Sequence, residues 1–416
     1  MKIAFVGLTH LGLNYLSAAA FKKFEVTGFD SKNRIKNYKN LNIEYDEPGL
    51  KNSIKNNFNK IKFSSDFEIL NKSDLIFISQ DIPTNNLGES SYIEINKLIT
   101  KVKKFANKKS ILIILSQVQP GFTRKIQFDH NRLYYQVETL IFGNSLERAM
   151  YPERTIVGSF NSNKKIEKKY LKYLKSFKCP ILKMNYESAE FAKISINLFL
   201  ASSITTSNML NSLSKKIGAK WAEIVPALKL DKRIGQFAYI KPGLGISGGN
   251  LERDMNFVSK ILSKDKKNYS VINSFIEHSK FMKNWTLKIL NREIKKKNLS
   301  RKKIVLGVLG LAYKPNTNSI KNSPAIDLIK KFKKNTILAC DPTVILKEKF
   351  NNVTQLKNYE EIIKKSDIVI IMTPWNKFKS INKIKFTSKQ IVVDPYSFIN
   401  NYKNLNFKNY FSIESK

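Results

Sequence analysis

The sequence predicts an α/β protein with a doubly wound parallel sheet at each end, joined by a helical segment that contains one long helix. Three observations carry this reading. Near each end, an apolar strand-length run closes on a glycine, and a second such run closes on an aspartate. Between the ends, Glu187–Lys216 has helical character with neither Gly nor Pro. A chain of 416 residues is also too long for one ordinary core, so two to three domains are expected.

The elements follow in order. Lys2–Val6 is apolar and ends on Gly7; Leu11–Phe21 has helical spacing with small residues at Ala18, Ala19 and Ala20; Phe24–Phe29 is a second strand ending on Asp30. Further strands are expected at Leu75–Ser79, Ile111–Ser116 and Leu133–Val137. Helical stretches alternate with them, as in a parallel sheet covered on both faces. The long helix is bounded by Gly218. A glycine-rich loop follows at Lys241–Asn250, and helical pattern resumes over about Asp254–Asn298. Strand runs at Lys302–Gly310, Thr336–Asp341, Ile368–Thr373 and Gln390–Asp394 repeat the opening order. The expected domains are residues 1–180, 181–299 and 300–416.

Lys and Arg number 73 against 33 Asp and Glu, a formal net charge of +40. Such a charge calls for acidic partners: nucleic acid, an anionic membrane surface or phosphorylated small molecules. The basic residues are spread along the chain, and no stacking aromatics are interleaved with them, which favours a diffuse solvated lysine surface over a nucleic-acid face. The two cysteines, Cys179 and Cys340, exclude a disulfide framework and a CxxC-type metal site. The N-terminus turns polar too soon for a signal peptide, and no apolar run approaches the roughly 20 residues of a membrane helix. The expectation is a soluble cytoplasmic protein.

The stretch Gly7-Leu8-Thr9-His10-Leu11-Gly12 follows the first strand and opens the first helix. It carries the first and third glycines of a dinucleotide fingerprint, with Thr9 in place of the middle one. A helix N-terminus there offers an anion site, and Asp30 at the end of the second strand can accept from a ribose 2′-hydroxyl and repel a 2′-phosphate, favouring NAD over NADP. The competing reading is a structural turn with a strand-end Asp.

Motifs further along resemble, in order, those of the UDP-glucose/GDP-mannose dehydrogenase family. They are Tyr45-Asp46-Glu47-Pro48-Gly49-Leu50, Pro83-Thr84, Pro152–Gly158, the Glu190/Lys193/Asn197 helix signature, Asp231–Gly235, Pro242–Gly249 and Gly310–Thr317. The resemblance runs from about Met1 to Asp394. It implies two Rossmann-like domains, N-terminal for NAD and C-terminal for the UDP of a nucleotide sugar, flanking a helical dimerisation domain. It also implies a homodimer and a four-electron oxidation of a sugar C6 alcohol to a carboxylate with two NAD+.

The resemblance assigns the candidate site. Lys193 stabilises a developing oxyanion and Asn197, one helical turn on, helps to hold it. Asp254 assists the water or base step, unless it is only a helix N-cap. Glu138 is a general acid/base candidate, or else a strand-end carboxylate. Gly7, Gly12, Asp30, Pro83 and Thr84 form the cofactor side. Arg233, Gly245, Gly248 and Lys314 form the substrate side, with Arg233 reaching across a dimer. A surface pair between Glu190 and Lys193 is the simpler alternative for that helix.

Several positions depart from the family pattern. Asn250 occupies the place of the nucleophilic cysteine, and an amide is no nucleophile at neutral pH. Phe142 replaces a second glutamate. Gln117, Arg253, Lys321 and Tyr396 replace the family's threonine, lysine, arginine and arginine. Two readings stand: a dehydrogenase whose oxidation stops short of the carboxylate, or an inactive relative that binds nucleotide sugar or NAD for a regulatory or assembly role.

Overall fold

A computed structural model of the protein describes residues 1–85, 88–297, 304–346, 350–399 and 409–414. The chain forms two compact units, Met1–Ile196 and Asn197–Lys416.

In the first unit the strands are β1 (Lys2–Val6), β2 (Glu25–Phe29), β3 (Ile61–Ser64), β4 (Leu75–Ile78), β5 (Ile111–Ile114), β6 (Leu133–Gln136), β7 (Thr155–Ser159) and β8 (Ile181–Asn185). They form one sheet in the order β3-β2-β1-β4-β5-β6-β7-β8. Its helices are α1 (His10–Phe21), α2 (Lys32–Lys39), α3 (Leu50–Asn56), α4 (Ile93–Phe105), α5 (Ser145–Met150) and α6 (Lys168–Lys175). Strands β4 and β5 are buried at every residue because helices cover both faces, which is why they read as unbroken apolar runs. Ala18, Ala19 and Ala20 are fully buried where α1 lies against the sheet.

The expected parallel sheet holds except at one pairing. Strands β6 and β7 are antiparallel, with Tyr135 opposite Gly158. Their connection carries only the six-residue α5, which packs on α1 rather than crossing the sheet. Strands β3, β7 and β8 lay outside the sequence expectation. β3 alternates buried and exposed residues, and β8 is largely half-exposed, so neither shows a continuous apolar run.

Helix α7 (Tyr186–Lys216) contributes residues to both units. The second unit continues with α8 (Trp221–Leu230), α9 (Asn250–Ile261), α10 (Lys266–Lys283) and α11 (Trp285–Lys296). The single helical stretch expected from Asp254 is thus three helices, and it starts earlier: Asn250 is the first residue of α9, not the end of a loop. Asn298 and Lys302, named above as element ends, lie outside the described residues. The second sheet comprises β9 (Val305–Leu309), β10 (Thr336–Cys340), β11 (Val353–Gln355), β12 (Ile368–Ile371), β13 (Ile391–Asp394) and β14 (Tyr410–Ser412), ordered β11-β10-β9-β12-β13-β14, with α12 (Pro324–Lys331) and α13 (Tyr359–Lys365). All its pairings are parallel. Both sheets therefore share one doubly wound order around β1 and β9, with the strand-order reversal, where ligands bind, beside those two strands.

Candidate active site

At the first switch point, Gly7 has φ +89° and its N–H donates to Phe29 O at 3.0 Å. A Cβ there would lie 2.7–2.8 Å from Gln80, and one on Gly12 would lie 2.3 Å from Gly7 O. Both glycines are thus demanded by close backbone approach, which is what a dinucleotide turn needs. Thr9 does not fill the cradle: it is 7% exposed and its hydroxyl donates to Ser79 O at 3.1 Å, so its side chain is engaged with the end of β4. The N-terminus of α1 keeps its anion-binding character. The Asp30 carboxylate accepts from Leu8 N and Ser31 N, each at 2.7 Å, and lies 3.4 Å from Arg34 Nη1. These residues fit an NAD whose pyrophosphate meets α1 and whose ribose meets Asp30. Pro83 is exposed and Thr84 half-buried on the loop after β4, where Thr84 bridges to Ser90.

Helix α7 carries the next group. Lys193 Nζ and Glu138 Oε1 form an ion pair at 2.8 Å, with both side chains about nine-tenths buried (9% and 10% exposed). Glu138 lies two residues beyond β6, and its other oxygen accepts from Leu140 N at 2.9 Å. Glu190 does not make the surface pair with Lys193 considered above. It is fully buried and accepts from Gly121 N at 2.6 Å and Thr123 N at 2.9 Å, which ties the loop after β5 to the helix. Burial pushes the Glu190 carboxyl above its ordinary range despite these N–H groups.

In the second unit, Asn197 Nδ2 donates to Asp254 Oδ2 at 2.6 Å, and Arg253 Nε donates to Asp254 Oδ1 at 3.0 Å. Asp254 is the fifth residue of α9 and buried, so the N-cap alternative does not hold: Gly249 is at the cap. The glycine loop before α9 is fixed from several sides. Gly245 has φ +73° with Ser279 O 2.7 Å from a Cβ position, and Ile246 N donates to Ser279 Oγ at 2.8 Å. Gly248 has φ +91° and a Cβ there would lie 2.9 Å from the Tyr313 ring, while one on Gly243 would lie 3.0 Å from the Tyr396 ring. Lys314 follows Tyr313, its amine 5.8 Å from that ring's centre. Arg233 is 90% exposed and bonded to Asp231, two residues earlier.

The second switch point repeats the first in backbone and differs in side chains. Gly310 has φ +93° and its N–H donates to Cys340 O at 2.8 Å, as Gly7 does to Phe29. Asp341 stands where Asp30 does. Its carboxylate, however, takes the N–H groups of Leu311, Ala312, Thr343 and Val344 at 2.7–3.0 Å and the Trp375 indole at 3.1 Å.

Comparison with known proteins bears on this pair of sheets. Residues 1–175 match the NAD binding domain of the UDP-glucose/GDP-mannose dehydrogenase family, residues 187–280 its central domain and residues 307–401 its UDP binding domain. The chain belongs to the UDP-glucose/GDP-mannose dehydrogenase family. That makes it a member of a family of NAD-dependent nucleotide-sugar dehydrogenases, oxidoreductases acting on CH–OH groups. It is 26% identical to a UDP-glucose 6-dehydrogenase of Bacillus subtilis over 94% of this chain and 88% of that protein. It is also 26% identical to one of Rickettsia typhi over the whole of both. Its fold is similar to a UDP-glucose dehydrogenase from Pyrobaculum islandicum (TM-score 0.86, 20% identity, 100% and 98% of the two chains). It is likewise similar to a UDP-D-ManNAc dehydrogenase from Pyrococcus horikoshii (TM-score 0.83, 22% identity, 100% and 99%).

Asn250 is exposed at the N-terminus of α9. In the same unit Cys340 is buried at the end of β10, and burial pushes its thiol up to about 11, which suits an inert structural sulfur. Lys321 lies against Gly249, with side-chain atoms 3.1–3.2 Å from a Cβ position there. Burial, and then the nearby Arg253, hold its amine below the ordinary lysine range against the opposing pull of Glu252. Arg253 Nη2 is buried without a hydrogen-bond partner. Sequence reasoning did not single out His10 and Glu47, which are bonded at 2.8 Å in the first unit. A histidine inside the glycine turn was the available signal, in a chain with 3 His.

Proposed function

We propose that this chain oxidises the C6 alcohol of a UDP-sugar with NAD+ and stops at the aldehyde. The single observation that carries the second half of this reading is Asn250 at the place of the family's thiol. Bound NAD+ supplies the hydride acceptor. The ion-paired Glu138 and Lys193 are the groups suited to take the alcohol proton and to stabilise the oxyanion that develops. Asn197 is oriented by Asp254, whose other oxygen is held by Arg253, so this aspartate acts as an orienting and electrostatic group rather than as a free base. Without a thiolate, an aldehyde carbon gains no covalent partner for a second oxidation.

Under this reading, residues 1–180 carry NAD, residues 181–299 the helical dimerisation element and residues 300–416 the nucleotide of the substrate. Exposed Phe199, Met209 and Leu213 on α7, Ile217 just beyond it and Phe237 after α8 support a homodimer, because a monomer rarely leaves so much apolar surface in water. Arg233, bonded within its own unit to Asp231, then has a partner subunit to reach. A molar mass twice the chain's 48.0 kDa in light scattering is the expected result.

The deciding experiment counts NADH formed per sugar consumed in wild type and in Asn250→Cys. One in the wild type and two in the variant are expected. Folded wild-type protein that yields no NADH across a panel of nucleotide sugars would sink the catalytic reading. Phe142 and Asn250 together favour the second reading, a binding protein without turnover; NAD+ and UDP-sugars that raise the melting temperature while no NADH forms would establish it.

A further inference from the structure

His10 is the first residue of α1, at the helix end that would meet a pyrophosphate. Its Nε2 lies 2.8 Å from Glu47 Oε2, and its ring stacks on Phe142 with centroids 4.2 Å apart and planes 24° apart. Tyr45 meets it edge-on at 5.6 Å. Glu47 is 6% exposed and accepts from Ser145 N at 2.7 Å and Gly143 N at 3.1 Å. Burial would raise its pKa. The His10 hydrogen bond and these two N–H groups outweigh burial and hold the carboxyl below its ordinary range.

Residues 138–145 are thereby held at three places. Glu138 bonds Leu140 N at the start, Phe142 lies on the His10 ring in the middle, and Glu47 takes the N–H groups at the end. The same Glu138 is paired with Lys193. One imidazole therefore touches both the carboxylate that anchors this segment and the ring at its centre, while being part of the dinucleotide turn. Neither contact is a property of the glycine fingerprint.

We infer that His10 is a positioning residue that locks the dinucleotide turn to the segment carrying Glu138, so that cofactor and acid/base pair are set in one register. This rests on the reading of the turn as the NAD site. A free turn would have to be ordered when NAD binds, and a locked one is ordered beforehand. The turn and segment are joined through a charge-assisted hydrogen bond in a buried setting, where removing one partner is felt strongly.

The test uses the full chain and three variants. His10→Phe keeps a ring for Phe142 and loses the bond to Glu47; His10→Gln keeps a donor for Glu47 and loses the stack; Glu47→Gln leaves His10 and weakens the anchor. NAD+ affinity is read by calorimetry, and KM for each substrate by NADH formation with UDP-glucose. We expect His10→Phe and Glu47→Gln to weaken NAD+ by roughly tenfold. KM for the sugar should change far less, and His10→Gln should recover most of the loss. A uniform loss of both affinities, or of melting temperature alone, would mean a merely structural role and overturn the proposal. Equal NAD+ affinity in all three variants would overturn it as well. If wild type binds no NAD+, the cofactor reading itself fails first, which separates the two failures. Should His10→Phe not fold, Glu47→Gln and His10→Gln carry the comparison.

Discussion

The Trp375 indole donates to the Asp341 carboxylate at 3.1 Å, at the strand end matching that of Asp30 in the first sheet. With four backbone N–H groups on the same carboxylate, a ribose has no acceptor left to find there. Asp30 carries fewer donors. Calorimetry is therefore expected to show one NAD+ per chain, with that single site weakened in Asp30→Ala. Trp375→Phe should leave that stoichiometry unchanged and cost about 1–3 kcal/mol of stability, since the indole bond is removed within a buried network. A second NAD+ in either protein would contradict the reading of the second switch point.

Under the proposed function, Asp30 also sets the choice between dinucleotides. Its carboxylate opposes a 2′-phosphate, and it lies near Arg34, which is shared with Glu44 at 3.1 Å. Asp30→Ser removes the repulsion and leaves Arg34 available to a phosphate. The ratio of NAD+ to NADP+ affinity should fall by about tenfold or more, corresponding to roughly 1.4 kcal/mol. An unchanged ratio in paired titrations would take the ribose contact away from Asp30.

The glycine turn separates a demanded residue from a tolerated one. Gly12→Ala forces a methyl to 2.3 Å from Gly7 O, so the turn or α1 must move, and NAD+ binding should be lost with a destabilisation of about 1–3 kcal/mol. Thr9→Gly removes a hydroxyl bonded to Ser79 O and the backbone restriction at the helix start. A loss of about 1 kcal/mol with NAD+ affinity within a few-fold of wild type is expected. The contrast is read by urea unfolding together with cofactor titration.

Two buried carboxylates in the first unit shift in opposite directions. Glu47 is held below its ordinary 4.5, so its contribution is complete above that pH and lost as pH falls through the lower folded value. Glu190 is pushed above 4.5 by burial. Its contribution is complete below that pH and declines as pH rises through the higher folded value. Glu190→Gln should flatten the stability profile on the side above 4.5, and Glu47→Gln on the side below it, in melting curves from acid to neutral pH. Coincident profiles for wild type and both variants would remove these two residues as titrating groups.

Lys193→Met would leave the Glu138 carboxylate buried without its cation. A buried pair broken on one side costs about 3–5 kcal/mol, more than the pair contributes intact. The double change Lys193→Met with Glu138→Gln should restore most of that stability without restoring turnover. Stability regained together with activity would show that the pair is not part of the chemistry.

Much of this could be read from residues in order. Gly7, Gly12 and Asp30 are legible because a strand, a tight turn and a helix impose local steric rules within a short stretch, and Gly310 and Asp341 obey the same rules. The early start of α9 was hidden by Gly248 and Gly249, which read as loop until the helix is seen to begin at Asn250. The antiparallel β6–β7 pair was hidden because a run such as Thr155–Ser159 carries no direction of its own. Thr9 read as an obstacle; its hydroxyl instead finds Ser79, 70 residues away, a contact no local pattern encodes.

The sequence by itself determined the two doubly wound sheets, the long helix between them and the amide at position 250, because periodicity, glycine sterics and residue identity are local properties. Only the tertiary structure decided which carboxylate serves which partner. It put Glu138 on Lys193, Asp254 on Asn197 and Arg253, Glu190 on the loop at Gly121 and Thr123, and Glu47 on His10. It also closed Asp341 with Trp375. Except for Arg253, which neighbours Asp254, these partners lie far apart in the chain. They are fixed by which strand ends and helix faces assemble, since a buried charge must be met by whatever donor the fold brings to it.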